Sequence, residues 1–229
     1  MNSILHYITL SVFTIFLLTG CFLKSVHPLV TTKDAILLNG LEGRWEDDEN
    51  RWTFIHDTQN FEDLNNEMQF DYNNDNTEGT ISFEESGKME GNSYLVILEE
   101  FNESRIDTSF FFGHIGSFGG NYFMDLELID VSVSTSFANS HLFPVHTFSK
   151  LSIEDSELSI EFFKDSWIKD LIENNRIRIK HEKVSNTKSD NDILITASTE
   201  ELQKFVTKYS NDENAFDDPK TLARSKNAL

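Results

Sequence analysis

Residues 94–126, YLVILEEFNESRIDTSFFFGHIGSFGGNYFMDL, contain three stretches that read as consecutive β-strands. The first is an apolar run at 94–98, and the second covers 106–115. A glycine-rich turn at 116–120 leads into the third, at 122–126. Short apolar or alternating runs that are separated by turn residues are typical of antiparallel strands. The stretch therefore predicts a β-meander.

Further strand signals lie on both sides of this meander. Residues 44–46 and 52–55 flank a turn-like DDEN, and 148–153 and 158–162 alternate apolar and polar residues around Asp155-Ser156. Each pair predicts a hairpin. Shorter strand candidates lie at 80–83, 177–179 and 193–195.

Two helices interrupt the strands. Asp165 can cap a short helix near 165–174, and Ser198 with Glu201 forms a capping box for a C-terminal helix near 199–210. The sequence thus predicts a mainly β fold, an antiparallel meander of about eight to ten strands with a helix laid against it. A closed barrel and a two-layer sandwich both satisfy this pattern.

The N-terminus, MNSILHYITLSVFTIFLLTGC, carries an apolar run that fits a signal peptide and falls short of the roughly 20 residues that span a membrane. Leu18, Thr19, Gly20 and Cys21 resemble the bacterial lipobox, which implies cleavage after Gly20 and acyl chains on Cys21. No Lys or Arg precedes the run, in contrast to most signal peptides, and an uncleaved anchor helix is the alternative.

The same resemblance implies a location. Phe22, and not an aspartate, follows the cysteine, and the sorting rule of Gram-negative lipoproteins then implies the outer membrane. No acidic cluster follows that would direct surface export, so we expect the periplasmic face.

The expected organisation of the chain follows from these signals. It comprises a signal peptide (1–20), a lipidated N-terminus and tether (21–40), one β-rich domain with its C-terminal helix (41–210) and a flexible tail (211–229).

Composition excludes some functions. The 20 Phe residues and 38% hydrophobic content indicate a packed globule, while a formal net charge of -20 opposes binding to DNA or RNA. Cys21 is the only cysteine, so a mature domain has no disulfide and no free thiol nucleophile. Apart from covalent lipid on that residue, we expect no cofactor.

Gly43-Arg44-Trp45 on the first strand, followed by a meander and a helix, resembles the lipocalin-like barrels. In those proteins the tryptophan closes the barrel bottom, often against an arginine from a late strand. Arg176 and Arg178 are the candidates for this role in the present sequence.

A second resemblance covers nearly the whole chain. The segments that carry it are VHPL with Lys33-Asp34, 41–45, 122–126 and LITASTEEL at 194–202. They look like a family of uncharacterised bacterial lipoproteins. This resemblance implies location and fold and transfers no functional residue.

The aromatic series in the meander suggests a ligand site. Phe110, Phe112 and Tyr122, with Trp45, could line an apolar cavity inside a barrel, and the alternative is that these rings fill the core. Asp71, Asn73 and Asp75 repeat oxygen ligands as a calcium loop does, but the glycine and glutamate of an EF-hand are missing, which favours a solvated loop.

Nothing else predicts chemistry. The histidines at 114, 141 and 146 lack the spacing of a metal site, and Ser117 lacks the glycine of a nucleophile elbow. The sequence therefore predicts a non-enzymatic envelope lipoprotein that binds a small apolar ligand or a protein partner. An interaction module of an envelope assembly and, third, a hydrolase are the alternatives.

Overall fold

The computed structural model describes residues 22–56, 91–102, 105–129, 144–184 and 192–226. Its strands are β1 (Lys24–Ser25), β2 (Gly43–Glu46), β3 (Asn50–Ile55), β4 (Ser93–Asn102), β5 (Arg105–Phe118), β6 (Asn121–Leu128), β7 (His146–Glu154), β8 (Glu157–Phe162), β9 (His181–Val184), β10 (Asp192–Ile195) and β11 (Lys220–Arg224). The helices are α1 (Asp165–Glu173) and α2 (Thr199–Tyr209), and a 3-10 turn covers Glu213–Ala215.

Eight of the strands form a closed antiparallel barrel. Each strand from β2 to β7 pairs with the next strand in the chain. Strand β11 lies between β8 and β2 and so closes the sheet. Trp45 of β2 is opposite Trp52 on one side and opposite Arg224, the last residue of β11, on the other. Strand β2 is thus paired on both sides, as every strand of a closed sheet is. Of the two architectures that the sequence left open, the barrel is the one formed.

The predicted hairpins are present, with one turn shorter than expected. Strand β5 continues to Phe118, where it pairs with Asn121, so the loop between β5 and β6 is Gly119-Gly120 alone. Both glycines have positive φ, +60° and +84°. This is the conformation of a two-residue hairpin turn that favours glycine. The remaining glycine of the predicted turn, Gly116, lies in the strand.

The barrel interior is an apolar core. Side chains of residues that lie opposite one another on neighbouring strands share a face, so Trp45, Trp52 and Leu98 point to the same side, as do Phe111 and Val96. The buried members of this inner cluster are Leu41, Trp45, Trp52, Phe54, Tyr94, Val96, Ile115, Met124, Leu126, Leu151, Leu158, Ile160 and Leu222.

A second core lies on the outer face of β6 and β7. Phe123 and Phe148 of these strands pack there with the helices and with residues 23–35. Residues 21–40 were predicted to be a tether, but Leu23, Leu29 and Val30 are buried in this outer core. The fold therefore begins at the start of the described chain.

A three-stranded extension continues the sheet beside β7. Strand β1 pairs with β7 where β8 has ended, β10 pairs with β1, and β9 pairs with β10. The predicted strand at 177–179 is wrong, because β9 begins only at His181 and the residues before it pack Ile177 and Ile179 on the outer core.

Both helices lie close to their predicted positions. The capping box of α2 is confirmed, since Ser198 Oγ accepts a hydrogen bond from the Glu201 amide and the Glu201 carboxylate accepts one from the Ser198 amide. In α1 the expected cap is wrong: Lys164 is the N-cap and Asp165 is the first helical residue.

The flexible tail predicted for 211–229 is also wrong over the described residues 211–226. After the 3-10 turn, Phe216 pairs with Phe163, and residues 220–224 form the strand that closes the barrel. Leu222 of this strand is fully buried in the inner core.

Candidate functional site

The structure does not bring the four predicted cavity residues together. Trp45 is buried inside the barrel, whereas Phe110 and Phe112 lie on the outer face of β5, where Phe110 packs in a separate cluster with Leu95 and Ile97. Tyr122 is at the start of β6 with 41% of its surface exposed. The prediction of one shared cavity is therefore wrong, because alternate residues of a strand point to opposite faces.

The centre of the barrel is filled. Trp45, Phe54, Val96, Ile115 and Met124 each retain no accessible surface. A void large enough for a water molecule would leave accessible surface on the side chains around it. Side chains thus occupy the space that surrounds these five residues. Nearer the end of the barrel where β8 stops, Phe111 and Phe162 are half-buried.

One end of the barrel is closed around Trp45. Its Nε1 donates to the Leu41 carbonyl at 2.8 Å, and the Arg224 guanidinium lies 4.3 Å from the ring centroid. The resemblance to lipocalin-like barrels implied an arginine partner of this kind. The assignment of this role to Arg176 or Arg178 is wrong, because the arginine beside Trp45 is Arg224 of β11.

A polar cluster lies on the outer face of β5, β6 and β7. Asp125 is almost fully buried, and its Oδ1 is 2.9 Å from His146 Nδ1. Its Oδ2 accepts hydrogen bonds from the amides of Leu29, at 2.6 Å, and Val30, at 3.0 Å. His114 is directly opposite Asp125 on β5. This carboxylate therefore binds the N-terminal segment to the barrel wall.

The two histidines respond to this environment in opposite directions. Burial lowers the pKa of His146, but its hydrogen bond to Asp125 and the charges of Asp125 and Glu127 outweigh burial and raise the pKa above its ordinary value. Burial lowers the pKa of His114, and the same two carboxylates oppose that shift without reversing it. In this cluster the protonated form is therefore favoured at His146 and disfavoured at His114.

A carboxylate that orients a histidine through Nδ1 is also a feature of general-base catalysis. In this cluster the second carboxylate oxygen is occupied by the two backbone amides, so the geometry first explains how the N-terminal segment is held. The sequence contained one unused signal for the cluster. Asp125 is a charged residue inside the apolar run Phe123-Met124-Asp125-Leu126, and a buried charge needs partners.

An open depression of about 570 Å³ lies beside α2. Its lining combines one aromatic ring with polar and charged side chains: Phe118, Glu200, Gln203, Lys204, Thr207 and Lys208. Both charge signs occur there, and Phe118 contributes the largest apolar side chain, so the depression favours no single ligand class.

Some predicted sites lie outside the described residues. These are the lipobox Leu18, Thr19, Gly20 and Cys21, and the calcium candidate Asp71, Asn73 and Asp75. Within the described ranges, no three His, Cys, Asp or Glu side chains are grouped as a metal site would need. The helices found there are too short or too polar to cross a bilayer.

The chain matches no family model, and no curated protein or solved structure is significantly similar to it.

Proposed function

We propose that this protein is a membrane-anchored lipoprotein of the bacterial envelope whose barrel is a non-enzymatic binding module for a protein partner. The observation that carries the proposal is the packing around Trp45, Phe54 and Met124, which have no accessible surface. A barrel that carries a small ligand needs internal volume for it. A filled barrel leaves its outer surface for recognition.

The anchor part of the proposal rests on the lipobox at 18–21, with acyl chains on Cys21 and the periplasmic face of the outer membrane as location. Two or three acyl chains, at about 0.8 kcal/mol for each buried methylene, hold a protein permanently. Replacement of Cys21 by Ser should move the protein from the membrane fraction to the soluble fraction. If it stayed in the membrane fraction, the anchor would be wrong.

Photo-crosslinking tests the binding part in the intact lipoprotein within its native membrane. Leu37, Ile106 and Leu128 are exposed apolar side chains, and each can be replaced by a photo-crosslinking amino acid. Position 155, in the tight turn between β7 and β8, is the control. We expect a discrete protein adduct from at least one apolar position and none from the control.

A matched ligand assay separates the two kinds of binding. If no position gave a protein adduct and the purified protein bound a fluorescent fatty acid saturably, the small-ligand function would replace this proposal. The filled interior predicts that the fatty acid does not bind, because it would have to displace core side chains such as Trp45.

A further inference from the structure

Positive charge is concentrated in one exposed segment of this acidic chain. Residues 176–184, RIRIKHEKV, hold four Lys or Arg and one Glu, whereas the whole chain has a formal net charge of -20. Ile177 and Ile179 pack against the outer core, and the four basic side chains are exposed. We refer to residues 176–184 as the basic segment.

Part of this charge is not neutralised locally. Arg176 is 3.3 Å from Asp170, and Lys180 is 3.5 Å from Glu201, but both pairs are exposed and such pairs contribute little. The other two basic side chains, Arg178 and Lys183, form no ion pair with any residue in the described ranges. They are available to an anionic surface.

The basic segment lies beside the start of the folded chain. Lys24 of β1 is opposite Leu194 of β10, which is opposite Glu182 of β9. Two strand spacings of about 4.8 Å place β9 roughly 10 Å from β1. This distance is close to the screening length at physiological ionic strength, about 8 Å.

The same extension presents apolar side chains. Phe22, just before β1, is 47% exposed, and Val184 of β9 is 39% exposed. Val184 is two residues from Glu182 and so lies on the face that carries Lys24, whereas Lys183, opposite Ile193, lies on the other face of β9. On its own face Lys24 forms an ion pair with Asp192 at 3.4 Å. That face also carries one exposed acidic side chain, Glu182.

No spacer separates these features from the proposed anchor. Leu23 and Ser25 are buried, so Phe22 is the single residue between Cys21 and the folded body. Acyl chains on Cys21 would therefore hold the extension within a few ångströms of the headgroups.

We propose that the basic segment and the end of the extension β1–β10–β9 that carries Phe22, Lys183 and Val184 form the membrane-facing surface. At this end both faces of β9 reach the bilayer, with Arg178 and Lys183 on the phosphates of anionic phospholipids and Phe22 and Val184 in the headgroup region. This inference rests on the proposed lipid anchor. Basic side chains next to a lipid anchor add attraction to an anionic leaflet. Here they offset the repulsion between that leaflet and the acidic barrel.

Depth-dependent quenching tests the orientation on the acylated protein in vesicles of phosphatidylethanolamine and phosphatidylglycerol. Because Cys21 is acylated, Val184→Cys or Asp155→Cys accepts a fluorophore at one position only. Lipids that carry a headgroup nitroxide then quench fluorophores close to the bilayer. We expect quenching several-fold stronger at 184 than at 155, which lies at the far end of β7.

Charge reversal tests the role of the basic segment. Arg178→Glu should weaken quenching at 184, and Lys226→Glu, the same change of two charge units on an exposed residue after β11, should leave it unchanged. Vesicles of phosphatidylcholine alone should also give weaker quenching at 184, because the net negative surface charge is gone.

The outcomes distinguish the proposals. Protein that sediments with vesicles but shows equal quenching at 184 and 155 keeps the anchor and overturns the orientation, which would assign the basic segment to an acidic protein partner. Protein that fails to sediment overturns the anchor itself. Circular dichroism of each variant confirms that it is folded.

Discussion

The Arg224 guanidinium lies 4.3 Å from the centre of the Trp45 ring, which joins the last strand of the barrel to the first. The same guanidinium donates hydrogen bonds to the carbonyls of Glu42, at 3.1 Å, and of Gly40. Gly43 leaves room for it, because a Cβ at that position would be 2.9 Å from Arg224 Nη1. One side chain thus connects the two strands whose pairing closes the sheet.

Arg224→Ala should lower the free energy of unfolding by about 2 kcal/mol. The change removes a cation–π contact of about 0.5–1 kcal/mol and two hydrogen bonds of about 1 kcal/mol each, part of which water replaces. Urea denaturation measures the effect. Arg178→Ala, at an exposed arginine, is the matched control and should change stability by less than about 0.5 kcal/mol. Equal effects at the two positions would contradict the assignment.

Deletion of residues 220–229 should abolish cooperative folding. Without β11, strands β2 and β8 lose their shared partner and the inner core loses Leu222. A sheet opened in this way exposes two unpaired edges. Solubility and thermal unfolding report the outcome, and deletion of 227–229 is the control. A truncated protein that unfolds with the original midpoint would show that closure is dispensable.

Most strands of the barrel were predictable from local pattern, and β11 was not. The run 94–126 alternates or stays apolar over strand length, and its glycines mark a turn. In KTLAR, residues 220–224, only Leu222 is buried. The strand pairs with distant parts of the chain: Leu222 is opposite Leu158, about 60 residues away, and Arg224 is opposite Trp45, about 180 residues away. One large apolar residue among the polar and small residues of KTLAR carries no periodicity.

The site was less predictable because it depends on register. Phe110, Phe111 and Phe112 are consecutive, so a strand must place the middle ring on the face opposite the other two. The number of aromatic residues suggested one lined cavity. Alternation instead places Phe111 in the inner core and Phe110 and Phe112 on the outer face. Asp125 and His146 meet only because β6 pairs with β7.

Asp125→Asn should destabilise the fold by about 3 kcal/mol. The carboxylate accepts three hydrogen bonds, from the amides of Leu29 and Val30 and from His146, and the neutral amide cannot accept all three. Hydrogen exchange at Leu29 and Val30 should accelerate more than exchange at the barrel amides. Glu127→Gln, on the same strand, is the control. Unchanged protection of the two amides would show that Asp125 does not hold the N-terminal segment.

The two histidines should contribute pH dependence of opposite sign. The pKa of folded His146 is raised above its ordinary value of 6.5, so its contribution is fully present below that value and is lost as pH rises through the folded pKa. His146→Gln should therefore cost more stability at pH 5.5 than at pH 8. The pKa of folded His114 is lowered, so the protein loses stability as pH falls through 6.5, and His114→Gln should remove that loss. Denaturation at both pH values checks the signs, and variants with the same pH dependence as the parent would contradict them.

Size compensation inside the barrel tests whether the interior is filled. A Cβ on Gly113 would lie 2.6 Å from Val96 Cγ2 and 3.5 Å from Leu126 Cδ2, so Gly113→Ala should cost about 1–3 kcal/mol through overpacking. Val96→Ala should also destabilise, by about 2 kcal/mol, because it leaves a cavity. The double variant should lose at least about 1 kcal/mol less than the sum of the two, since the added methyl occupies space that the valine vacates. A barrel with free internal volume would let Val96 move aside, and Gly113→Ala would then be neutral and the pair additive. That result would return the small-ligand function to first place, because the proposal of a protein partner depends on the absence of this space.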